Sequence, residues 1–297
     1  MQIAITGSRG LVGTALVEFL QAAGHGTLRL VRGSAAEGQV SWDPAEGTID
    51  ATALRGVDAM VHLAGENIAT ARWTEAQKQR IYRSRVDGTR LLCEALASLE
   101  QPPRVLLSAS AIGYYGDRGD EVLDETSAPG HGFLAETARD WEAATQAAVD
   151  KGLRVVLLRF GLILSPQGGA LAKMLTPFRL ASGGRLGDGR QFWSWITLDD
   201  AMGAIHHALV TDGLRGPVNV VAPRAVTNRE FTRTLGRVLS RPTLLPVPRW
   251  AARLALGEMA DALMFSSTRV EPANLQKNGY SFRYPTLEPA LRHLLEK

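Results

Sequence analysis

The chain lacks the residues on which several classes of protein depend. Its 297 residues include one cysteine, Cys93, which excludes an intramolecular disulfide and a cysteine-rich metal site. Basic and acidic residues are nearly balanced, 33 against 30, and the arginines are scattered, so we expect no nucleic-acid partner. No apolar run approaches the roughly 20 residues of a membrane helix, and the N-terminal pattern is not that of a signal peptide. The sequence therefore favours a cytoplasmic protein with no membrane partner.

What the chain does contain is an alternation of short β-branched runs and longer helical patterns. Its hydrophobic share of 45% is that of an ordinary globular protein. Strands are predicted at residues 2–6, 27–31, 39–42, 59–63, 104–108 and 154–160, and helices at 11–23, 74–99, with a possible break near Ser84, and 133–150. This alternation is typical of an α/β fold of the Rossmann type, with a doubly wound parallel sheet.

The second half of the chain is less regular. After about Ser165, loops rich in glycine and proline separate short helices and a strand-like run at 218–221. We therefore predict a Rossmann cofactor-binding core at 1–165 and a smaller mixed α/β substrate lobe at 166–297, some of whose segments return to the sheet. The tail, from about 242 to 297, is predicted to be helical and to pack on the fold, because otherwise Trp250, Leu254 and their apolar neighbours would be exposed.

A glycine-rich turn follows the first predicted strand and begins the first predicted helix. Its residues are Gly7, Ser8, Arg9, Gly10, Leu11, Val12 and Gly13, with the glycines spaced as GxxGxxG. The first glycine permits a tight turn, the second lets backbone N–H groups approach a pyrophosphate, and the third lets helix and strand pack closely. The helix N-terminus adds partial positive charge. The turn predicts a dinucleotide site, and the alternative is a turn that is tight for structural reasons alone.

The end of the second predicted strand indicates which dinucleotide binds. An acidic residue there accepts hydrogen bonds from the ribose of NAD, whereas an arginine favours the 2′-phosphate of NADP. The strand ends at Val31 and is followed by Arg32, and a second cation, Arg9, lies in the glycine turn. These two guanidiniums favour NADP, unless both are ordinary surface arginines.

Further motifs resemble those of a known family. In chain order they are Val57-Asp58-Ala59-Met60-Val61-His62-Leu63-Ala64-Gly65, Val86-x-Gly88-Thr89, Ser108-x-Ser110, Tyr115-Gly116, Leu158-Arg159-Phe160-Gly161 and Trp195-Ile196. The series resembles the extended short-chain dehydrogenase/reductases, the NAD(P)-dependent epimerase/dehydratase group. Narrower motifs are similar to those of one branch of that group, a predicted nucleoside-diphosphate-sugar epimerase with a small C-terminal domain of unknown function. They include Ala71-Arg72-Trp73-Thr74, Ser110-Ala111-x-Gly113-Tyr114-Tyr115-Gly116-Asp117 and Gly279-Tyr280-Ser281-Phe282. The resemblance implies a Rossmann sheet that binds NAD(P), and it adds to the cofactor site the residues Leu63, Ala64, Gly65, Ser108 and Phe160.

The resemblance also implies a catalytic set that this chain lacks. The group uses a serine or threonine after the fifth sheet strand together with Tyr-x-x-x-Lys on the next helix, where the lysine lowers the pKa of the tyrosine. None of the five tyrosines of this chain has a lysine four residues on. The tyrosine position is occupied by Phe133 or Leu134 and the lysine position by Thr137 or Ala138, depending on the register.

Catalysis is therefore assigned to other residues. Ser110 best matches the hydroxyl position of the family, and Tyr114 and Tyr115 are either acid/base groups or packing residues. Lys173 is one of five lysines and follows two glycines in an apolar helical stretch. It either replaces the missing lysine or lies on the surface.

Other conspicuous residues have plain structural interpretations. His62, at a strand end, is expected to be hydrogen-bonded and structural, and Asp199-Asp200 is expected to cap a helix. No cluster of ligands has metal-binding spacing, so no metal is predicted. The aromatic segments at Arg72-Trp73 and 191–195 either stack on a substrate or pack the two lobes together.

Two functions follow from the sequence. The first is an NADP(H)-binding oxidoreductase or epimerase-like protein that transfers a hydride to or from a polar, ring-bearing carbonyl or hydroxyl substrate, as a monomer or homodimer. The second is a non-catalytic protein that binds NADP(H) and has lost the Tyr-x-x-x-Lys chemistry.

Overall fold

The computed structural model describes residues 1–296. Its strands are β1 (Gln2–Thr6), β2 (Gly26–Val31), β3 (Gln39–Asp43), β4 (Thr48–Ile49), β5 (Ala59–His62), β6 (Val105–Ala111), β7 (Val122–Leu123), β8 (Arg154–Phe160), β9 (Leu162–Leu164), β10 (Phe192–Trp193), β11 (Trp195–Thr197), β12 (Gly216–Val220), β13 (Val226–Thr227) and β14 (Arg269–Val270). Its helices are α1 (Leu11–Ala22), α2 (Glu75–Ser98), α3 (Phe133–Ala143), α4 (Gln146–Asp150), α5 (Gly169–Arg179), α6 (Leu198–Val210), α7 (Asn228–Leu239), α8 (Arg249–Leu256), α9 (Glu258–Ala260), α10 (Ala273–Lys277) and α11 (Leu287–Leu294).

Eight of these strands form one sheet in the order β12-β8-β6-β5-β1-β2-β3-β4. Every pair in it is parallel except β3 with β4. The chain leaves β1 toward β2 on one side and later returns to β5 on the other, so the strand order reverses between β1 and β5. This is the doubly wound α/β fold that the sequence predicts, and β12 is a segment of the second half that returns to the sheet.

Both faces of the sheet are covered by helices. Ile3 and Ile5 of β1 pack into a cluster with α1 and α6, whereas Ala4 packs into a second cluster with α2. Successive side chains of a strand point to opposite faces, so a strand that is covered on both faces is apolar throughout. This is why the centre of β1, Ile3-Ala4-Ile5, is apolar without alternation.

One predicted helix with a possible break is observed whole, and another is divided. The helix predicted at 74–99, with a possible break near Ser84, is continuous as α2, because the Ser84 hydroxyl bonds the Ile81 carbonyl within the helix and accepts from the Glu66 N–H outside it. The helix predicted at 133–150 is divided instead, since α3 ends at Ala143 and α4 begins at Gln146.

The C-terminal tail is tied to the core by a buried carboxylate. Asp200 accepts hydrogen bonds from the backbone N–H groups of Arg283 (2.8 Å) and Tyr284 (2.9 Å) and from the Tyr280 hydroxyl (3.2 Å). The expectation that Asp200 caps a helix was wrong, because the N-cap of α6 is Thr197, whose hydroxyl accepts from the Asp200 N–H. Asp200 instead holds a distant segment of chain.

Residues 247–265, which we call the strap, contain α8, α9 and a π-helical turn at Asp261–Phe265. The strap is fixed to the core by Arg72, which donates to the carbonyls of Leu254 and Ala255, and by an ion pair of 2.5 Å between Lys78 and Glu258. The expectation that Trp250 and Leu254 are covered was wrong, since they are 70% and 73% exposed. Within residues 1–296 no helix is both long and apolar enough to cross a membrane.

Candidate active site

The glycine turn lies between the carboxyl end of β1 and the N-terminus of α1. Gly7 has a φ of +66°, and a Cβ there would lie 2.7 Å from the carbonyl carbon of Leu63. A Cβ on Gly13 would lie 2.2 Å from the carbonyl oxygen of Gly7. Both positions require glycine for the fold itself. At Gly10, in contrast, a Cβ would meet nothing closer than 3.4 Å, so this glycine leaves space that the fold does not use.

Two features of the turn fit a bound dinucleotide. The Ser8 hydroxyl is buried and has no hydrogen-bond partner within residues 1–296. Gly10, the N-cap of α1, provides no side-chain acceptor for the N–H groups of the first helical turn, which starts at Leu11. Phosphate oxygens satisfy unpaired donors of this kind. The residues present therefore fit the cofactor that the sequence predicts.

Other predicted cofactor residues lie along the same edge of the sheet. Thr6 Oγ1 accepts hydrogen bonds from the N–H groups of Leu63 (3.0 Å) and Ala64 (3.2 Å), which holds the segment after β5 beside the glycine turn. Arg9 and Arg32 are exposed, and Arg32 directly follows β2. Both arginines are therefore accessible to a ligand.

A cleft of about 1060 Å³ begins at the ends of β6 and β8 and extends to the strap. Ser110 and Phe160 line it, whereas Ser108 is buried inside β6 and is not among the lining residues. Of the aromatic segments singled out in the sequence, Trp73 and Trp193 face the cleft. Trp195 is fully buried instead, so it packs the lobe and does not contact a ligand.

Ser110 is connected to a buried ion pair. Its hydroxyl donates a hydrogen bond of 2.6 Å to Glu142 Oε1 on α3. The two carboxylate oxygens of Glu142 each accept a hydrogen bond of 2.8 Å from Arg159 of β8. Burial lowers the pKa of Arg159, but the hydrogen bonds and charge of Glu142 outweigh it, and the net shift is upward. Arg159 therefore stays positively charged, and Ser110 donates to an oxygen that this guanidinium also holds.

The two tyrosines lie away from the cleft. The Tyr115 hydroxyl donates to Asn219 Oδ1 at 2.8 Å and accepts from Arg159 Nη1 at 2.9 Å. Burial raises the pKa of Tyr115 to about 12, whereas an acid/base role near neutrality requires a lowered pKa. Arg159 Cζ lies 3.5 Å from the ring centroid of Tyr114. Both tyrosines are thus packed around Arg159, and neither is among the residues that line the cleft.

The helix that carries the catalytic motif in the related family faces the cleft with inert side chains. Leu134, Thr137 and Ala138 all line the cleft, at positions predicted for the missing tyrosine and lysine. Lys173 lines it from α5 and is exposed. The structure therefore brings Ser110 and Lys173 to one cleft and leaves the tyrosines outside it.

One further cation of the cleft was not among the sequence candidates. Arg85 of α2 donates from Nη1 to the carbonyls of Glu66 (3.0 Å) and Ile81 (3.2 Å), and its Cζ lies 5.1 Å from the Trp141 ring. Burial lowers the pKa of Arg85 to about 10, so it remains positively charged at neutral pH. A Cβ on Gly65 would lie 3.4 Å from its Cζ, so Arg85 lies beside a predicted cofactor residue.

The sequence contained a signal for one of the residues that were missed. Arg159 is a charge between the apolar residues Leu158 and Phe160 of β8, and a buried charge requires a partner. Glu142 and Arg85 gave no such signal, because each lies on a helix with several other charged residues.

His62 has the structural role that was expected. Its two ring nitrogens are hydrogen-bonded to the hydroxyls of Thr6 (2.7 Å) and Thr89 (3.0 Å). Burial lowers the pKa of His62 to about 4, which keeps the ring neutral. Across the described residues no three side chains of His, Cys, Asp or Glu are grouped as metal ligands.

Two family models match the chain. The model described as the NAD dependent epimerase/dehydratase family matches residues 3–221, and one described as a domain of unknown function, DUF1731, matches residues 247–294. The second match covers the whole strap and the residues that Asp200 holds.

Similar proteins match nearly the whole of this chain. The epimerase family protein Mb2239 of Mycobacterium bovis is 45% identical over 97% of this chain and 96% of its own. The crystal structure of human epimerase family protein SDR39U1 (isoform 2) with NADPH superposes with a TM-score of 0.92, at 34% identity over 100% of this chain and 99% of that one. The crystal structure of a nucleoside-diphosphate sugar epimerase from Corynebacterium glutamicum superposes with a TM-score of 0.83, at 40% identity over 99% of this chain and 58% of that one.

Proposed function

Because the chain belongs to the NAD-dependent epimerase/dehydratase family, we propose that it is an NADP(H)-dependent oxidoreductase acting on a carbon that bears a carbonyl or hydroxyl group. The observation that carries this proposal is Ser110, which lies in the cleft at the end of β6 and is hydrogen-bonded to the Glu142 carboxylate. The presence of NADPH in the human relative supports the choice of cofactor.

The glycine turn and two arginines would hold the cofactor. The N–H groups at the start of α1 and the Ser8 hydroxyl would bind the pyrophosphate, and Arg9 and Arg32 the 2′-phosphate. Charge-assisted bonds to one phosphate contribute about 1.5–3 kcal/mol, so NADPH should bind about tenfold to a hundredfold more tightly than NADH. Calorimetric titration of both cofactors tests this expectation. The Arg9→Ala/Arg32→Ala double variant should lose the preference, and equal affinities in the wild-type protein would contradict it.

Ser110 and Glu142 would move the proton. Because Ser110 donates its only proton to Glu142, its lone pairs are free to accept a hydrogen bond from a substrate hydroxyl. In the oxidation direction the substrate O–H bond breaks and its proton goes to Ser110 Oγ, while the Ser110 proton goes to Glu142 Oε1. The carbinol C–H bond breaks with its electron pair as a hydride, which NADP⁺ accepts when bound. Reduction reverses each transfer.

Two cations would assist this transfer. Arg159 fixes both oxygens of Glu142, so that the carboxylate faces Ser110 in one orientation. Lys173, with its flexible side chain on the cleft wall, would stabilise negative charge on the substrate oxygen.

Kinetics with a panel of ketones and aldehydes, followed by NADPH absorbance, test the mechanism. Ser110→Ala leaves the Glu142–Arg159 pair in place and should lower kcat by about 10²–10⁴ without changing the NADPH affinity. Tyr114→Phe is the matched control and should stay within about twofold of wild type, because the phenol lies outside the cleft. The reverse pattern would assign the proton to the tyrosine and contradict our assignment.

The second candidate is a non-catalytic NADP(H)-binding protein. Leu134, Thr137 and Ala138 favour it, because they place inert side chains where related enzymes carry their acid/base motif. This candidate would be supported over the enzyme if the wild type and Ser110→Ala both bound NADPH saturably and neither turned over any carbonyl of the panel.

A further inference from the structure

The walls of the cleft are mainly apolar. The large side chains that face it come from the core, the C-terminal lobe and the strap, and they include Trp73, Trp141, Phe160, Trp193, Phe231 and Leu263. At the end of β6 the cleft presents the Ser110 hydroxyl, and the charged side chains that the strap adds to the lining, Arg249, Asp261 and Glu258, are paired with one another or with Lys78. A ligand that fills this cleft therefore meets a polar group at Ser110 and mainly apolar walls elsewhere.

The charged side chains that line the cleft balance one another. Three are positive and three are negative: Arg85, Lys173 and Arg249 against Asp117, Glu258 and Asp261. Most of them already have protein partners. Arg249 contacts Asp261 at 2.6 Å, Glu258 contacts Lys78 at 2.5 Å, and Arg85 donates to backbone carbonyls.

This charge balance disfavours a sugar nucleotide. The diphosphate of such a substrate carries two negative charges, which proteins hold with several arginine or lysine side chains or with backbone N–H groups. Lys173 is the cation of the cleft lining with no ion-pair or hydrogen-bond partner in the described residues. One flexible lysine does not neutralise a diphosphate inside a mainly apolar cleft.

We propose that the substrate is an apolar, ring-bearing ketone or alcohol, of the size of a fused-ring system, rather than a sugar nucleotide. This inference rests on the proposed function, since it concerns the same cleft. The oxygen of the substrate lies near Ser110, and its rings lie against the aromatic walls and the strap. A cleft of about 1060 Å³ is at the upper end of the range for small-molecule sites, so a fused ring system has room.

Tryptophan fluorescence tests the binding without requiring turnover, because Trp73, Trp141 and Trp193 line the cleft. The full-length protein, saturated with NADP⁺, is titrated with cyclohexanone, a decalone and progesterone, which share a ring ketone and differ in apolar size. Burial of each added ring should strengthen binding by about tenfold or more. UDP-glucose, titrated in the same way, should produce no saturable change.

A pair of strap variants supplies the control. Leu263 is half-buried and lines the cleft, whereas Leu254 lies on the outer side of the same segment and is 73% exposed. Leu263→Gln should weaken progesterone binding by about fivefold to thirtyfold, and Leu254→Gln should leave it unchanged. Both variants should retain the melting temperature and NADPH affinity of the wild type.

The outcomes separate this inference from the proposed function. The substrate class would be overturned if UDP-glucose bound more tightly than progesterone, or if the two leucine variants lost progesterone affinity equally. Neither result would contradict the hydride-transfer proposal. Size-dependent ketone binding with no NADPH oxidation for any ketone would support the apolar site and overturn the proposed enzyme.

Discussion

Asp200 offers the sharpest test of how the C-terminal tail is held. In Asp200→Asn one carboxylate oxygen becomes an amide NH₂, which cannot accept from the Arg283 or Tyr284 N–H that faces it. Loss of one charge-assisted bond costs about 1.5–3 kcal/mol, and the buried N–H left without an acceptor costs about 1–3 kcal/mol more. We therefore expect the free energy of unfolding to fall by about 3–5 kcal/mol.

The measurement is urea and thermal unfolding of Asp200→Asn beside Asp199→Asn. Asp199 is the neighbouring acid, but it is partly exposed and, within residues 1–296, its ion-pair partner is His293 at 3.4 Å, so its loss should cost less than about 1 kcal/mol. At about 2–4 °C per kcal/mol, the melting temperature of Asp200→Asn should fall by roughly 6–20 °C. Limited proteolysis should also cut this variant near residues 280–284. Equal stability of the two variants would refute the argument that the carboxylate holds the tail.

The glycine turn and the buried histidine give two further predictions. Gly13→Ala should destabilise the fold, because its Cβ would lie 2.2 Å from the Gly7 carbonyl oxygen. Gly10→Ala should instead fold normally and lose NADPH affinity. Unfolding curves and cofactor titrations that are the same for the two variants would contradict this prediction. Because the pKa of His62 is lowered to about 4 in the folded protein, the unfolded chain binds the proton first, and stability should fall by about 3 kcal/mol as the pH drops from about 6.5 to about 4. In His62→Gln, the free energy of urea unfolding should fall less steeply over this pH range. The same pH dependence as in the wild type would show that other groups cause the decline.

The sheet could be predicted from the sequence because its signals are local. The strand β1, the glycine turn and the helix α1 follow one another within residues 2–22. Over so short a stretch, the sequence pattern is enough to predict the conformation. Where contacts with distant segments stabilise a local conformation, the sequence pattern did not predict that conformation fully. Ser84 was a possible helix break, and its position in α2 is stabilised by the distant backbone N–H of Glu66.

The candidate site could be predicted only in part, for the same reason. The cofactor turn lies in one stretch of chain, but Ser110, Glu142 and Arg159 come from three elements and meet only in the folded protein. The exposure of Trp250 and Leu254 also depends on the fold, because hydrophobic character alone does not show which face of a short helix is covered.

The hydrogen-bonded set around Arg159 has a consequence for how this chain can change over evolutionary time. Ser110, Glu142, Arg159, Tyr115 and Asn219 form one continuous series of bonds, so removing an inner member such as Glu142 or Arg159 leaves another buried group unpaired. A lineage that loses Glu142 alone keeps the buried guanidinium of Arg159 without its carboxylate partner. Selection would act against that lineage unless Arg159 is replaced as well. We therefore expect these five positions to be inherited as a block, kept together or replaced together, while the cleft walls beside them diverge one residue at a time.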